Sequence, residues 1–73
     1  MPYVNIKITR EGDVTAVRKK QLIAGAARLL EEILDKPLHT TYVVIDEVDT
    51  DNWGVGDRSV TELRAESAEP TDR

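Results

Sequence analysis

The amino terminus carries the residue with the greatest potential for chemistry in this sequence. The chain begins Met1-Pro2, and methionine aminopeptidase removes an initiator methionine that precedes a small residue. Its removal leaves Pro2 with a free secondary amine, and the reference pKa of an α-amino group is about 7.7 to 8. Burial or a nearby cation lowers such a pKa by disfavouring the charged form. The amine is then a neutral base near physiological pH, where general base catalysis is most efficient.

Other residues of catalytic or metal-binding types lack the spacing that their chemistry needs. The loop that begins at Asp49 matches a calcium-binding loop at its first, third and sixth positions, but Val60 stands at the twelfth, where a bidentate glutamate is required. Gly54 and Gly56 lack the third glycine and the strand-to-helix setting of a phosphate-binding fingerprint. His39 has no acid or nucleophile in view, and cysteine is absent. We expect no metal site.

Pro2 lies at the start of a predicted β-strand. Residues 4 to 8 alternate between apolar and polar, which is the period of a half-buried strand. A proline is tolerated at the first position of a strand, because the ladder hydrogen bond that it cannot donate is dispensable there. Pro2 therefore has a structural explanation as well as a catalytic one. In both explanations, Pro2 is fixed at the start of the strand, and this restricts the position of its amine.

A long amphipathic helix follows the first strand. Apolar residues recur at three- and four-residue intervals between residues 17 and 34, which predicts a helix of roughly twenty residues. Asp13 or Thr15 is suited to cap its start, and Pro37 ends it by disfavouring helix at the residue before it. Gly25 inside the helix costs about 1 kcal/mol relative to alanine, and a close approach of helix to sheet would explain its presence.

The second half of the chain completes the predicted fold. Residues 40 to 45 are rich in β-branched residues and nearly continuous in apolar character, which is typical of a strand covered on both faces. Residues 46 to 52 are predicted to be a polar loop, and residues 53 to 58 a tight turn or short hairpin. The fold class is α+β, with two parallel strands joined by a right-handed helical crossover. We expect a domain at residues 1 to 61 and a polar C-terminal tail at residues 62 to 73.

Size and charge limit the partners that this chain can bind. With 73 residues and no disulfide, it is near the smallest size at which a single core is stable, and oligomerisation is the common remedy. Two strands and one helix also leave a sheet face and two edges open, so we expect a homo-oligomer. The formal net charge of -4 disfavours nucleic acid. Without a signal peptide or a long apolar run, we expect a cytoplasmic protein with no membrane contact.

The order and spacing of several features resemble the 4-oxalocrotonate tautomerase family over about residues 2 to 58. The features are Pro2, Glu11-Gly12, the Leu22-Ile23 helix running to Asp35-Lys36-Pro37-Leu38, the strand Val43-Val44-Ile45-Asp46-Glu47, and the turn Trp53-Gly54-Val55-Gly56. The resemblance implies a tautomerase-like fold and the cofactor-independent keto-enol isomerisation of a small 2-oxo or enol acid. It further implies that Pro2 is the general base and that the chain forms a hexamer, a trimer of dimers.

The resemblance also points to three residues for binding the substrate. Relatives acting on dicarboxylate enols carry one arginine after the Glu-Gly of the first strand and another within the second strand. Here Asp13 follows Gly12, and Tyr42 aligns with the second position. Arg10 is the candidate cation, Tyr42 can donate a hydrogen bond, and Trp53 aligns with the aromatic residue that lines the family's pocket. A solvated arginine, a packing tyrosine and an interface tryptophan stay open as structural alternatives.

Two other functions stay open at this point. A relative that hydrates or dehalogenates an unsaturated acid would use protonated Pro2 as the acid, but such relatives usually need a carboxylate to activate water, and no residue clearly fills that role. A catalytically silent oligomerisation module would have kept the fold and lost the arginines. A retained Met1 would favour this module, because it turns the Pro2 amine into an amide. The preferred interpretation is an isomerase that acts on a small carboxylate.

Overall fold

The computed structural model describes residues 1 to 67. Its elements, in chain order, are β1 (Tyr3–Thr9), α1 (Ala16–Leu34), β2 (Tyr42–Val48), β3 (Gly54–Val55), β4 (Arg58–Ser59) and α2 (Val60–Ser67). Short 3-10 helices at Leu38–Thr40 and Thr50–Asn52 precede and follow β2. The chain forms the predicted βαβ unit, and a short hairpin and a second helix come after it.

The central sheet consists of β1 and β2, which pair in parallel as predicted. The register runs from Tyr3 opposite Tyr42 to Thr9 opposite Val48. Alternate side chains point to opposite faces of a strand, and helix α1 packs against the face that carries the half-buried residues Val4, Ile6, Ile8, Val43 and Ile45. The other face carries the exposed residues of β1 and is uncovered by any other described element. The α+β class and the parallel topology are confirmed.

Helix α1 begins and ends through local capping contacts. The Thr15 hydroxyl oxygen accepts a hydrogen bond from the Arg18 amide at 3.2 Å, so Thr15 and not Asp13 is the N-cap. At the other end Asp35 adopts the left-handed conformation and its amide donates to the Glu31 carbonyl at 3.0 Å. The helix therefore stops at Leu34, before the restriction that Pro37 imposes.

The explanation expected for Gly25 is wrong. A side-chain β-carbon at this position would meet nothing within 4 Å, and the residue is exposed. No close approach of α1 to its own sheet requires a glycine here. The structure shows no reason for this residue within the single chain.

Strand β2 lies further along the chain than its apolar run predicted. Thr40 belongs to the preceding 3-10 helix. Asp46 and Glu47, which the polar composition assigned to a loop and the family resemblance to the strand, are in the strand. The ladder with the seven-residue β1 extends the strand, and both carboxylates gain partners there. The Asp46 carboxylate accepts a hydrogen bond from the side-chain amide of Asn5 at 2.8 Å. The Glu47 carboxylate forms a salt bridge with Lys19 at 2.6 Å. Pairing and polar contacts override the loop-like composition.

The C-terminal arm, defined here as residues 49 to 66, is more ordered than the sequence suggested. Its antiparallel hairpin of β3 and β4 confirms the predicted turn, and Gly56 supplies the positive φ of 63° that this turn needs. Helix α2 then crosses the division that was expected after residue 61. The rest of the expected tail, residues 68 to 73, lies outside the described residues.

A single chain buries little apolar surface. Within residues 1 to 66, Ala27 is the one apolar side chain classed as buried. The Cα radius of gyration is 16.4 Å, whereas a compact chain of this length has about 11 Å. Large apolar side chains of α1 stand exposed, among them Val17, Leu29 and Ile33. No helix in the described part of the chain is long and apolar enough to cross a membrane.

Candidate active site

Pro2 is held at the head of β1 by the neighbouring strand. Its carbonyl oxygen accepts a hydrogen bond from the Tyr42 amide at 2.9 Å, so the parallel ladder fixes the backbone one residue before β1 begins. The Pro2 side chain is half-buried. Met1 is 84% exposed and thus open to an aminopeptidase. The backbone of Pro2 is thus held at a fixed position beside the start of β2.

Two tyrosines stand next to Pro2. Tyr3 and Tyr42 face each other across the ladder and are 64% and 57% exposed on the open face of the sheet. The sequence indicated Tyr42 but missed Tyr3. The signal that would have found Tyr3 is the register of the parallel strands, which places the two rings side by side. The pair gives the Pro2 end of the sheet two phenol groups that can donate hydrogen bonds.

Arg10 lies at the opposite end of β1 and is already engaged. Its amide donates to the Val48 carbonyl at 2.8 Å, and its Nε and Nη2 donate to Asp49 Oδ1 at 2.9 Å and to the Glu47 carbonyl at 3.1 Å. The seven residues of β1 lie between Arg10 and Pro2, and the eight steps from one to the other span about 26 Å at about 3.3 Å per residue. One chain therefore does not bring these two candidates together.

Trp53 also lies away from Pro2, on the C-terminal arm. It follows the 3-10 helix at Thr50–Asn52 and is half-buried. Its carbonyl accepts the Val60 amide at 2.7 Å, which ties it to the start of α2. The structure thus groups the predicted site residues in two pairs. Pro2 and Tyr42 are at one end of the sheet, and Arg10 and Trp53 follow the other end.

A salt bridge between helix and sheet, unnoticed in the sequence, supports the scaffold. Lys19 Nζ lies 2.6 Å from Glu47 Oε1, and the Glu47 side chain is only 13% exposed. The Lys19 hydrogen bond lowers the pKa of Glu47 below its ordinary value. By the spacing of the apolar residues, Lys19 would lie on the polar side of α1. It lies instead at the edge of the helix face that packs on the sheet, and the Glu47 carboxylate of β2 neutralises its charge.

Glu11 is the most strongly perturbed acid described. Arg64 Nη1 and Nη2 donate to its two carboxylate oxygens at 2.7 and 2.8 Å, and the Thr9 hydroxyl donates to it as well. These hydrogen bonds lower the pKa of Glu11 from 4.5 to about 2, and those from Arg64 have a larger effect than the one from the Thr9 hydroxyl. The sequence indicated Glu11 only as part of the Glu11-Gly12 feature after the first strand, and its ion pair was missed because the partner is 53 positions away.

This shift predicts how stability depends on pH. Since the pKa of folded Glu11 lies below its unfolded value, its ion pair stabilises the fold at pH values above about 4.5 and loses this effect as the pH falls towards 2. Glu11→Gln is expected to lower the urea midpoint at pH 7 and to leave it nearly unchanged at pH 2. Glu32→Gln, on the exposed side of α1, is the matched control. An equal deficit of Glu11→Gln at both pH values would contradict the assignment.

The βαβ unit with its two parallel strands, the long crossover helix and the short C-terminal hairpin define a class of small proteins built on one strand-helix-strand unit. A family model described as tautomerase enzyme matches residues 2–63. The chain belongs to this family, within its 4-oxalocrotonate tautomerase group, and it is an isomerase of the tautomerase type.

Individual relatives agree with this assignment. The chain is 59% identical over 68 residues to probable tautomerase K2 of Dickeya dadantii (strain 3937), covering 93% of this chain and all of the relative. The crystal structure of DmpI from Helicobacter pylori has a TM-score of 0.78 and 42% identity, over 88% of this chain and 97% of that one. A heterohexamer 4-oxalocrotonate tautomerase from Chloroflexus aurantiacus J-10-fl has a TM-score of 0.74 and 30% identity, over 88% and 100%.

Proposed function

We propose that this isomerase converts the keto and enol forms of a small 2-oxo acid without a cofactor, with Pro2 as the general base. The observation that carries the proposal is the placement of Pro2. It is half-buried, hydrogen-bonded to Tyr42 at 2.9 Å and preceded by an exposed Met1. A base held by a strand ladder keeps its lone pair in one place, which is what general base catalysis needs.

The proposed reaction moves one proton and changes no oxidation state. The neutral Pro2 amine takes the proton from the enol oxygen of the substrate, and the electron pair of that O–H bond forms the carbonyl as the carbon-carbon double bond shifts. The resulting ammonium returns the proton to carbon, which regenerates the neutral amine. The Tyr42 hydroxyl is proposed to donate a hydrogen bond to the substrate carboxylate or to the oxygen that carries developing charge.

Arg10 and Trp53 take part in this reaction only if another copy of the chain supplies them. Arg10 lies about 26 Å along the strand direction from the Pro2 of its own chain, and Trp53 belongs to the arm that follows the same far end of the sheet. The Arg10 guanidinium uses Nε and Nη2 for Asp49 and the Glu47 carbonyl, and its remaining N–H groups stay available for a carboxylate. We therefore propose a site at a subunit boundary, with Pro2 and Tyr42 from one copy and Arg10 and Trp53 from another.

The proposed assembly is a homohexamer built as a trimer of dimers. It is supported by the uncovered sheet face, by the exposed apolar side chains of α1 and by the similarity to a heterohexameric 4-oxalocrotonate tautomerase. A hexamer covers these surfaces and supplies the missing half of each site. The silent-module alternative is disfavoured by membership in a family of tautomerase enzymes. A cytoplasmic location stays a prediction.

Light scattering coupled to size exclusion tests the assembly. The parent is expected to elute at micromolar concentration with six times the 8.2 kDa chain mass. Val44→Lys places a charge on the open sheet face, where Val44 is 42% exposed, and is expected to reduce the mass. Glu32→Lys, on the exposed side of α1, serves as the control and should leave it unchanged. A folded parent monomer under these conditions would overturn the proposed assembly and the shared site.

A further inference from the structure

Two adjacent residues of opposite charge hold both ends of the C-terminal arm. Arg10 binds Asp49, where the arm leaves β2, through Nε at 2.9 Å. Glu11 binds Arg64 of α2 near the end of the arm, through two parallel hydrogen bonds of 2.7 and 2.8 Å. The arm thus leaves the sheet at Arg10 and returns to it at Glu11. These four residues are called the arm clamp below.

The arm between the two ion pairs is a connected unit. Ser59 and Glu62 form a reciprocal capping box at the start of α2, with bonds of 2.9 and 3.1 Å. The hydroxyls of Thr50 and Thr61 are 2.5 Å apart, and Trp53 bonds to α2 through its carbonyl. Movement of α2 relative to β1 is therefore transmitted to Trp53.

We propose that Glu11 and Arg64 are positioning residues, which set the place of Trp53 relative to Arg10 by closing the arm clamp. The inference rests on the proposed function, in which Trp53 and Arg10 together serve the pocket of another copy. Four observations support it: the fork geometry, the neutral pairing of opposite charges, the adjacency of Arg10 and Glu11, and the position of Trp53 between the two pairs. Arginine fits this role because its planar guanidinium donates two parallel hydrogen bonds to a carboxylate. The ammonium of a lysine does not have this geometry.

The first measurement follows Trp53, the only tryptophan of the chain. Acrylamide quenching of its fluorescence is expected to increase in Glu11→Gln and in Arg64→Gln, because the returning end of the arm is released. Exchanging the charges in Glu11→Arg with Arg64→Glu should restore quenching towards the parent value. Arg58→Gln is the matched control, since it removes the ion pair with Glu66 inside the arm and leaves the arm clamp intact. Far-UV circular dichroism confirms that each variant is folded.

The second measurement separates positioning from simple structural support. In the folded single variants KM is expected to rise about two- to fivefold, the size of effect of a lost exposed ion pair, with a smaller change in kcat, because Pro2 is not touched. Arg64→Lys should fall between parent and Arg64→Gln. The exchanged pair should recover KM together with quenching.

Three results would overturn the inference. Unchanged quenching in both single variants would show that the arm clamp does not hold the arm. Increased quenching with an unchanged KM would show that the place of Trp53 does not matter to the substrate. Failure of the exchanged pair to recover either quantity would show that ion pairing is not the cause. A parent without tautomerase activity contradicts the proposed function and the positioning role with it, while quenching still decides whether the arm clamp exists.

Discussion

Replacing Pro2 by alanine is expected to lower kcat/KM by about a hundredfold or more, within the 10² to 10⁴ range of a general base. Alanine leaves a primary amine that is more mobile and differently hydrated than the proline ring. The fold should persist, because the ring contributes little at the first position of a strand and the carbonyl that accepts from Tyr42 is retained. Initial rates on a ketonisable enol, with mass and circular dichroism of the same samples, measure both expectations.

A second variant isolates the amine from the ring. Inserting one alanine between Met1 and Pro2 keeps the ring but turns its nitrogen into an amide, so activity should fall at least as far as in Pro2→Ala. Intact mass of the purified parent must show that Met1 is absent from the active form. In the parent, the rate should follow one ionisation at or below the free-amine value of about 8, because the neutral amine is the base. Unchanged rates in both variants would refute Pro2 as the base.

Local patterns in the sequence were sufficient to predict the strand and the helix that form the scaffold around Pro2. Alternation from residues 4 to 8 located β1, and the three- and four-residue spacing located α1. Both signals come from burial against one neighbouring layer, which acts on every residue of an element. Helix α2 carried a local signal too, because Ser59 and Glu62 have the spacing of a capping box, but this signal was missed in a polar stretch.

Contacts between distant positions were beyond such patterns. The bidentate pair of Glu11 and Arg64 joins residues 53 positions apart, and Lys19 meets Glu47 only after β2 has paired with β1. From the sequence alone, a charged residue without a nearby partner is predicted to be solvated, because the partner is known only once the fold is known. Pro2 and Arg10 flank the two ends of β1, and the alternating pattern of that strand does not show that the proposed site combines residues from two copies of the chain.

The proposed role of Tyr42 beside Pro2 predicts which substrate the protein prefers. The family resembled by this sequence places an arginine at this point of the second strand when its members act on dicarboxylate enols. A charge-assisted hydrogen bond contributes about 1.5 to 3 kcal/mol, which corresponds to roughly ten- to a hundredfold in affinity. A tyrosine hydroxyl gives one neutral hydrogen bond instead. The parent should therefore use a monocarboxylate such as the phenylpyruvate enol at least as well as 2-hydroxymuconate.

Tyr42→Arg is expected to reverse this preference by raising kcat/KM for 2-hydroxymuconate about ten- to a hundredfold, with a much smaller effect on the monocarboxylate. Tyr3→Arg is the matched control, because Tyr3 lies opposite Tyr42 on the same open face but is not the position that aligns with the arginine of the relatives. The rates of both substrates with parent and variants decide the question. A parent that strongly prefers 2-hydroxymuconate, or a Tyr42→Arg variant with an unaltered ratio of rates, would show that the carboxylates are bound elsewhere than beside Tyr42.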